Sequence, residues 1–436
     1  MSAAPVPLPS APTSSPPRLL TPDFARGIAL LGIAMANLTT IWIVHTVPDA
    51  IGSTVGWVNP DSPLDMAAAI FSTLFIHVRG LPMFSTLLGF GIGLLANSLY
   101  RKNYPAKDAR RVLVRRYGFL ALFGFAHLFF LFKGDIMFLY GLAGMLIATM
   151  ITLRTKTLRT LAYISLGLMM VFSVIMAVVA GFIGEPAIEY ADTEAMVTPG
   201  DYFRKNALEG LLFVFNSLFG PIMLGGVMVI GFIWAREGVL VNIDAHRTTL
   251  YRWIALTVGV ILVIGLQWGL AAVGVYPETF EYVFESLNYG FGLLTGPGIL
   301  AIIALLLNGA QKRANAGATP KWMYPFIALG KRSMSGYLAQ SFLIIPLVMP
   351  FGLGLGIQAT ISEKLLIAFG VWLITLVLAT ILEATNTPGP FEWLHRRLAY
   401  GKTGRLEPYS APAPAVLPAQ QPHQVQSPYN GPHVQR

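Results

Sequence analysis

The stretch GFAHLFFLFKGDIMFLYGLAG (124–144) places an imidazole and a carboxylate, His127 and Asp135, on either side of a Lys133-Gly134-Asp135 turn in an otherwise apolar run. Histidine is the side chain best suited to moving a proton near neutral pH, and a carboxylate beside it can orient the ring and raise its basicity. One reading is therefore a general base with its orienting partner. The plainer reading is helix glue, with His127 bonded between helices and Asp135 capping the helix that follows. A second pair lies in LTPDFARGIALLGIAMANLTTIW (20–42). Arg26 and Asn37 are eleven residues apart, which at 3.6 residues per turn is three turns plus about 20°, so they share one helix face roughly 16 Å apart. Asp23 lies three residues before Arg26, within reach of a local ion pair. That face must meet protein or water, because hydrocarbon charges a few kcal/mol for each unpaired polar group. An N-terminal cap, a snorkelling Arg and a packing Asn would explain the same residues without chemistry.

Other polar groups are scattered through apolar sequence. LGKRSMSGYLAQS (329–341) sets Lys331 and Arg332 at the start of one apolar run, followed by Ser335, Tyr337, Gln340 and Ser341. Such a run suits a helix that faces the protein interior, and the two cations also suit a topology anchor. Together with Arg115 and Arg116 they form a basic set able to attract an anionic cofactor. Arg79 stands inside a long apolar run, where an Arg requires a partner or water. Arg79, Gln340 and His45, the last at the end of the first span, are the candidates for touching substrate. TPGPFEWLHRRLAYGK (387–402) has the Trp, Tyr and Arg content of an interfacial anchor. No Walker loop, dinucleotide fingerprint, HExxH or GxSxG is present.

The elements that must hold these residues follow from composition. The chain has 436 residues, of which 55% are hydrophobic and 12% charged, with a mean hydropathy of +0.62. Soluble domains carry roughly 25% charged residues, so half that figure at this length predicts an all-α, polytopic transmembrane bundle. About 20 apolar residues cross the hydrocarbon, and ten stretches qualify: 24–44, 66–99, 112–132, 134–152, 158–183, 207–236, 250–275, 287–308, 333–354 and 363–383. The second is interrupted by HVRGLPMF (77–84) and the sixth by FGPIMLGG (219–226), which predicts two broken helices. Residues 1–20 are a Pro/Ser/Ala-rich tail with no signal-peptide character, 21–402 form the membrane domain, and 403–436 are a Pro/Gln-rich tail; both tails are expected to be disordered.

Charge sets the orientation. Arg101, Lys102, Lys107, Arg110, Arg111, Arg115 and Arg116 fill one loop region, and alternate loops continue the bias with Arg154, Lys156 and Arg159, then Arg236, Arg247 and Arg252, then Lys312, Arg313, Lys321, Lys331 and Arg332. The intervening loops carry Asp49 and Asp61, then Glu185, Glu189, Asp192 and Glu194, then Glu278, Glu281 and Glu285. This pattern predicts an even number of crossings with both termini cytoplasmic. The net charge of +9 is then a topology signal, and nucleic acid is not an expected partner. With no cysteine, thiolate metal sites are excluded, and no metal is expected.

Taken in order, DFARGIALLGIAMANL, LLGFGIG, GFAHLFFLFKGDIMFLYGLAGML, GKRSMSGYLAQS and GPFEWLHRRLAYGK resemble the bacterial YeiB-like family of polytopic membrane proteins, a domain of unknown function (418), over residues 20–402. The family is similar, at a distance, to the transmembrane acyltransferases, which include the acyltransferase-three enzymes and the lysosomal glucosaminide N-acetyltransferase type. The resemblance implies a bacterial inner-membrane protein that moves an acyl group from cytoplasmic acyl-CoA to an acceptor across the membrane, with lipids and small molecules as its partners. The acyltransferase-three enzymes carry, in their first helix, an Arg and a His at the spacing of Arg26 and Asn37. Asn cannot take a proton. Either Asn37 orients substrate while His127 or His45 is the base, or the chemistry has been lost.

Three readings result. In the first, an acyltransferase, Arg26 meets the donor's phosphates or thioester, Asn37 holds a carbonyl or acceptor hydroxyl, and His127 with Asp135 supplies the base. In the second, the buried Arg and His line the path of a proton-coupled transporter. In the third, a non-catalytic scaffold, the polar groups only join helices.

Overall fold

The computed structural model describes residues 19–43, 47–184 and 196–410. His45, the acidic residues Glu185, Glu189, Asp192 and Glu194, and the outer parts of both predicted tails lie outside the described residues. Among the described residues sixteen α-helices run in order: α1 (Leu20–Asn37), α2 (Pro63–Phe75), α3 (Gly80–Arg101), α4 (Ala106–Phe130), α5 (Met137–Thr149), α6 (Thr155–Ile183), α7 (Pro199–Ser217), α8 (Gly220–Glu237), α9 (Arg247–Val260), α10 (Leu266–Ala272), α11 (Thr279–Phe291), α12 (Thr295–Asn315), α13 (Tyr324–Lys331), α14 (Ser333–Val348), α15 (Ile361–Ala384) and α16 (Pro390–Tyr400). Among the described residues there is no β-strand beyond the isolated bridge between Ile51 and Val58.

The bundle is an all-α membrane protein. Among the described residues eight helical stretches are long and apolar enough to cross, and the shorter apolar helices α5 and α14 bring the set to the ten regions predicted from sequence. The outer surface is apolar: α6 exposes Val171, Phe172, Ile175, Val178 and Phe182, a stripe that suits the hydrocarbon of a bilayer. Local signals start the helices where the sequence allows. Ser62 accepts from the Asp65 amide with Pro63 at the first position of α2, and Thr360 with Glu363 forms a capping box on α15.

Both expected breaks are present. The second span parts between α2 and α3 at Ile76–Arg79, with Val78 at φ +53°. A break in lipid strands the last carbonyls of the helix before it. Arg79 meets that demand: its guanidinium donates to the carbonyls of Thr73 (3.1 Å), Leu74 (3.0 Å) and Val78 (3.1 Å) and to Asn288 Oδ1 (2.9 Å). The sixth span parts at Leu218–Phe219, just before Pro221. Two further interruptions were not foreseen. A π-turn at Ile261–Gly265 joins α9 to α10, and a 3₁₀ turn at Gly292–Leu294 divides α11 from α12. In the second case Pro297 lacks the amide that would continue an α-helical ladder.

Three packing details position the polar groups. Helices α4 and α5 touch backbone to backbone: a Cβ on Gly124 would lie 2.0 Å from the Phe138 nitrogen, and one on Gly141 would lie 2.4 Å from the Ala121 nitrogen. Small residues at facing positions let membrane helices approach this closely. Helix α7 braces the connecting turn, where Asn206 accepts from the Lys133 amide (2.6 Å) and donates to the carbonyls of Leu128 and Phe129 (both 3.0 Å), while Lys133 pairs with Glu209. Helix α16 lies against α4, with the His395 Nε2–H donating to the Arg116 carbonyl (2.8 Å) and Arg115 donating to the Leu398 carbonyl (2.6 Å). Residues 403–410, assigned from sequence to the C-terminal tail, instead fold back on the basic loop. Lys102 donates to the Leu406 carbonyl (2.8 Å), and the Tyr409 hydroxyl donates to Asp108 Oδ2 (3.1 Å).

Candidate active site

The α4–α5 hairpin brings His127 and Asp135 into contact. Nδ1 of His127 lies 2.7 Å from Asp135 Oδ1, and both side chains are buried. The other carboxylate oxygen accepts from the Phe138 amide (2.7 Å) at the start of α5, where the helix dipole favours negative charge. An ionised Asp135 can only accept, and in a neutral ring the Nδ1 nitrogen then carries the proton and Nε2 presents its lone pair. That lone pair faces Ser341 Oγ on α14, 2.8 Å away. A carboxylate, an imidazole and a hydroxyl therefore stand in one hydrogen-bonded line, the arrangement by which a base activates an oxygen nucleophile.

Beside this line is a cavity of about 240 Å³. Arg26, Arg116, Lys331 and Arg396 line one part of it with Asp23, Glu392 and His395; Ile136, Met137, Tyr140 and Tyr337 line another. Arg26 reaches Asp23 (3.4 Å) and the Leu87 carbonyl (3.5 Å), and Arg116 donates to the Tyr400 hydroxyl (2.6 Å). Close approach of α13 to α1 brings Lys331 here, since a Cβ on Gly330 would lie 1.7 Å from the Asp23 carbonyl oxygen. Burial, then the charge of Arg116, pushes His395 down to about 4. His395 is thus neutral at pH 7 and adds no charge to the basic wall.

A second, much smaller void of about 10 Å³ lies beyond Tyr337 and is lined by Asn37, Gln340, Ser341, Trp42 and Phe132 among others. Trp42 stacks on Phe132 with ring centres 4.5 Å apart. Tyr337 borders both spaces. Its ring centre lies 5.2 Å from that of His127, and its buried hydroxyl makes no hydrogen bond of good geometry. Tyr337 stands between the basic cavity and the void beside Ser341.

The residues singled out from sequence therefore fall into separate groups. Arg26 and Asn37 share a helix face, yet Arg26 lines the large cavity and Asn37 the small void. Arg116 and Lys331 reach the cavity, Lys331 while also pairing with Glu383. Arg332 is buried instead, held by Glu383 (2.5 Å) and the Thr387 carbonyl (2.6 Å), and Arg115 is exposed and bound to α16. Gln340 donates to the Leu30 carbonyl (3.2 Å) at the edge of the void. Arg79 lies in the broken second span and lines neither space. From sequence Ser341 and Tyr337 are only polar members of an interior-facing helix. Their direction toward His127 has no local signal, because Ser341 lies 214 residues away along the chain. Among the described residues no group of three His, Cys, Asp or Glu side chains could hold a metal ion.

Residues 234–402 match the family described as "Protein of unknown function (DUF418)". The chain is 25% identical over 410 residues to the uncharacterized protein YxaH of Bacillus subtilis (strain 168), spanning 89% of this chain and 96% of that one. It is also 25% identical over 411 residues to the uncharacterized protein YeiB of Escherichia coli (strain K12), spanning 89% and 97%. A third relative, an uncharacterized 39.9 kDa protein in the amylase 3' region of Bacillus acidopullulyticus, is 23% identical over 392 residues.

Proposed function

We propose that this chain, which is similar to the YeiB-like (DUF418) proteins, is a transmembrane acyltransferase of the bacterial inner membrane. The observation that carries this reading is a basic cavity ending one aromatic ring away from a buried, carboxylate-oriented histidine. Acyl-CoA combines an anionic head with a slender arm bearing a thioester. Arg26, Arg116, Lys331 and Arg396 suit the first by charge. At about 240 Å³ the space is below the usual range for a drug-sized ligand, so it suits the arm rather than the whole cofactor. In this reading the bias of Lys and Arg in alternate loops supports a cytoplasmic position for this wall and for both termini, and His127 lies 21 residues along α4 from its basic start, about 30 Å away. The base then sits near the opposite face, where an extracytoplasmic acceptor arrives, and its role is to take the proton that nucleophilic attack on the thioester releases.

A proton-coupled transporter is the second reading, supported by the broken spans and by two spaces that meet at one side chain. Acetyl-CoA added to the purified protein decides between them. Acyl transfer predicts a raised melting temperature with acetyl-CoA that is lost in Arg116→Gln, with about 2.7 kcal/mol of stabilisation at a hundred times Kd. No shift with acetyl-CoA or a long-chain acyl-CoA, and no CoA released, would remove the enzyme reading.

A further inference from the structure

We propose that Ser341 is the nucleophile of a two-step transfer, taking the acyl group as an oxygen ester before the acceptor receives it. This rests on the acyltransferase reading above and sharpens it. The argument begins with the base. His127 Nε2, the nitrogen left free to accept, is committed to Ser341 Oγ at 2.8 Å, while Nδ1 is held by Asp135 at 2.7 Å. Any acceptor hydroxyl would have to displace Ser341 to reach that nitrogen. The hydroxyl that His127 is positioned to deprotonate is the one already there.

Burial strengthens the case. His127, Asp135 and Ser341 are each 3% exposed or less, so water is largely excluded and an ester formed there is shielded from hydrolysis. Ser341 needs no such partner to hold α14 in place, since a hydroxyl in a membrane helix can be satisfied on its own backbone carbonyls, as Ser173 does with Met170 and Thr86 with Pro82 here. Asn37 lines the same void as Ser341 and supplies a carboxamide donor for the oxyanion. This gives Asn37 a role that requires no proton.

The bonds balance without a further reagent. Ser341 Oγ attacks the thioester carbon as its proton passes to Nε2. The tetrahedral adduct collapses, the carbon–sulfur bond breaks, and the imidazolium returns the proton to the leaving thiolate, giving free CoA and acyl-Ser341. The acceptor hydroxyl or amine then attacks the ester carbon with His127 again taking the proton, and the carbon–oxygen bond to Ser341 breaks as Oγ is reprotonated. Tyr337 borders both the basic cavity and the void beside Ser341, so displacement of its ring opens the route from donor to nucleophile. A serine loaded from one side and unloaded to the other carries the acyl group past the barrier without moving CoA.

The test uses the full chain in lipid nanodiscs with radiolabelled acetyl-CoA, and in parallel a labelled long-chain acyl-CoA, without acceptor. Wild type should retain label after denaturation, resistant to neutral hydroxylamine as an oxygen ester is. Ser341→Ala should lose at least ten-fold of that label while keeping the acetyl-CoA thermal shift. Ser341→Cys should carry label that neutral hydroxylamine removes, a signature that a purely structural serine would not produce. Label or CoA release undiminished in Ser341→Ala overturns the nucleophile and leaves His127 acting directly on the acceptor. Wild type that neither shifts with nor releases CoA from either donor overturns the acyltransferase reading, and this one with it.

Discussion

Asp135→Asn separates two roles that the same carboxylate fills. The side chain accepts from His127 Nδ1 (2.7 Å) and from the Phe138 amide (2.7 Å). Asparagine has one acceptor oxygen and one donor nitrogen. If its oxygen stays on the Phe138 amide, its NH₂ faces Nδ1, and the ring must place its proton on Nε2 to avoid two opposed donors. Nε2 then donates to Ser341 and no longer serves as a base. In soluble Ser-His-Asp sites this tautomer exchange lowers turnover by about 10⁴-fold with the geometry intact. Stability changes far less, because Asn is itself a good helix cap; the loss is about 1–3 kcal/mol for a weakened charged hydrogen bond. The expected result is a fall of roughly 10³–10⁴ in CoA release, with the melting temperature lowered by only a few degrees. A readout independent of turnover is available: nitrogen-labelled histidine NMR, with His127→Gln for assignment among seven histidines, should show protonated Nδ1 in wild type and protonated Nε2 in the variant. Activity within ten-fold of wild type, or an unchanged tautomer, would refute the reasoning and leave Asp135 as a cap alone.

Gly124→Ala should cost about 1–3 kcal/mol by overpacking, since its Cβ would meet the Phe138 backbone at 2.0 Å, whereas Gly167→Ala, with nothing within 4 Å, should be neutral or slightly stabilising in the same detergent melt. Single cysteines at the exposed positions Asn103 and Asp61, in a chain with no other cysteine, should label from opposite faces of oriented vesicles; labelling from one face contradicts the charge-based topology.

The spans were legible because lipid imposes one rule on every crossing segment, so length and hydropathy suffice. The breaks at 76–79 and 218–219 announced themselves through Gly and Pro, and the His127–Asp135 contact through a turn short enough to force it. The turn at 292–294 lies inside the predicted span 287–308 and is not legible there, because the first part of α11, with Glu281 and Glu285, is too polar to read as a helix that the turn could separate from α12. Ser341 was not recognisable as a partner because periodicity reveals which face of α14 is polar but not which helix meets it. The same limit divided Arg26 from Asn37: a shared face is one-dimensional information, and Tyr337, arriving from α14, cuts the space between them.

Arg79 has a consequence for how the chain is made. Three of its four acceptors, the carbonyls of Thr73, Leu74 and Val78, come from the end of α2 and from the break in which it sits. The guanidinium thus enters the bilayer already solvated by its own segment, and the second span need not wait for the rest of the protein. Its fourth acceptor, Asn288, is synthesised 209 residues later, which at 5–20 residues per second is roughly 10–40 s. The last of its four acceptors therefore ties this early break to the later half of the chain.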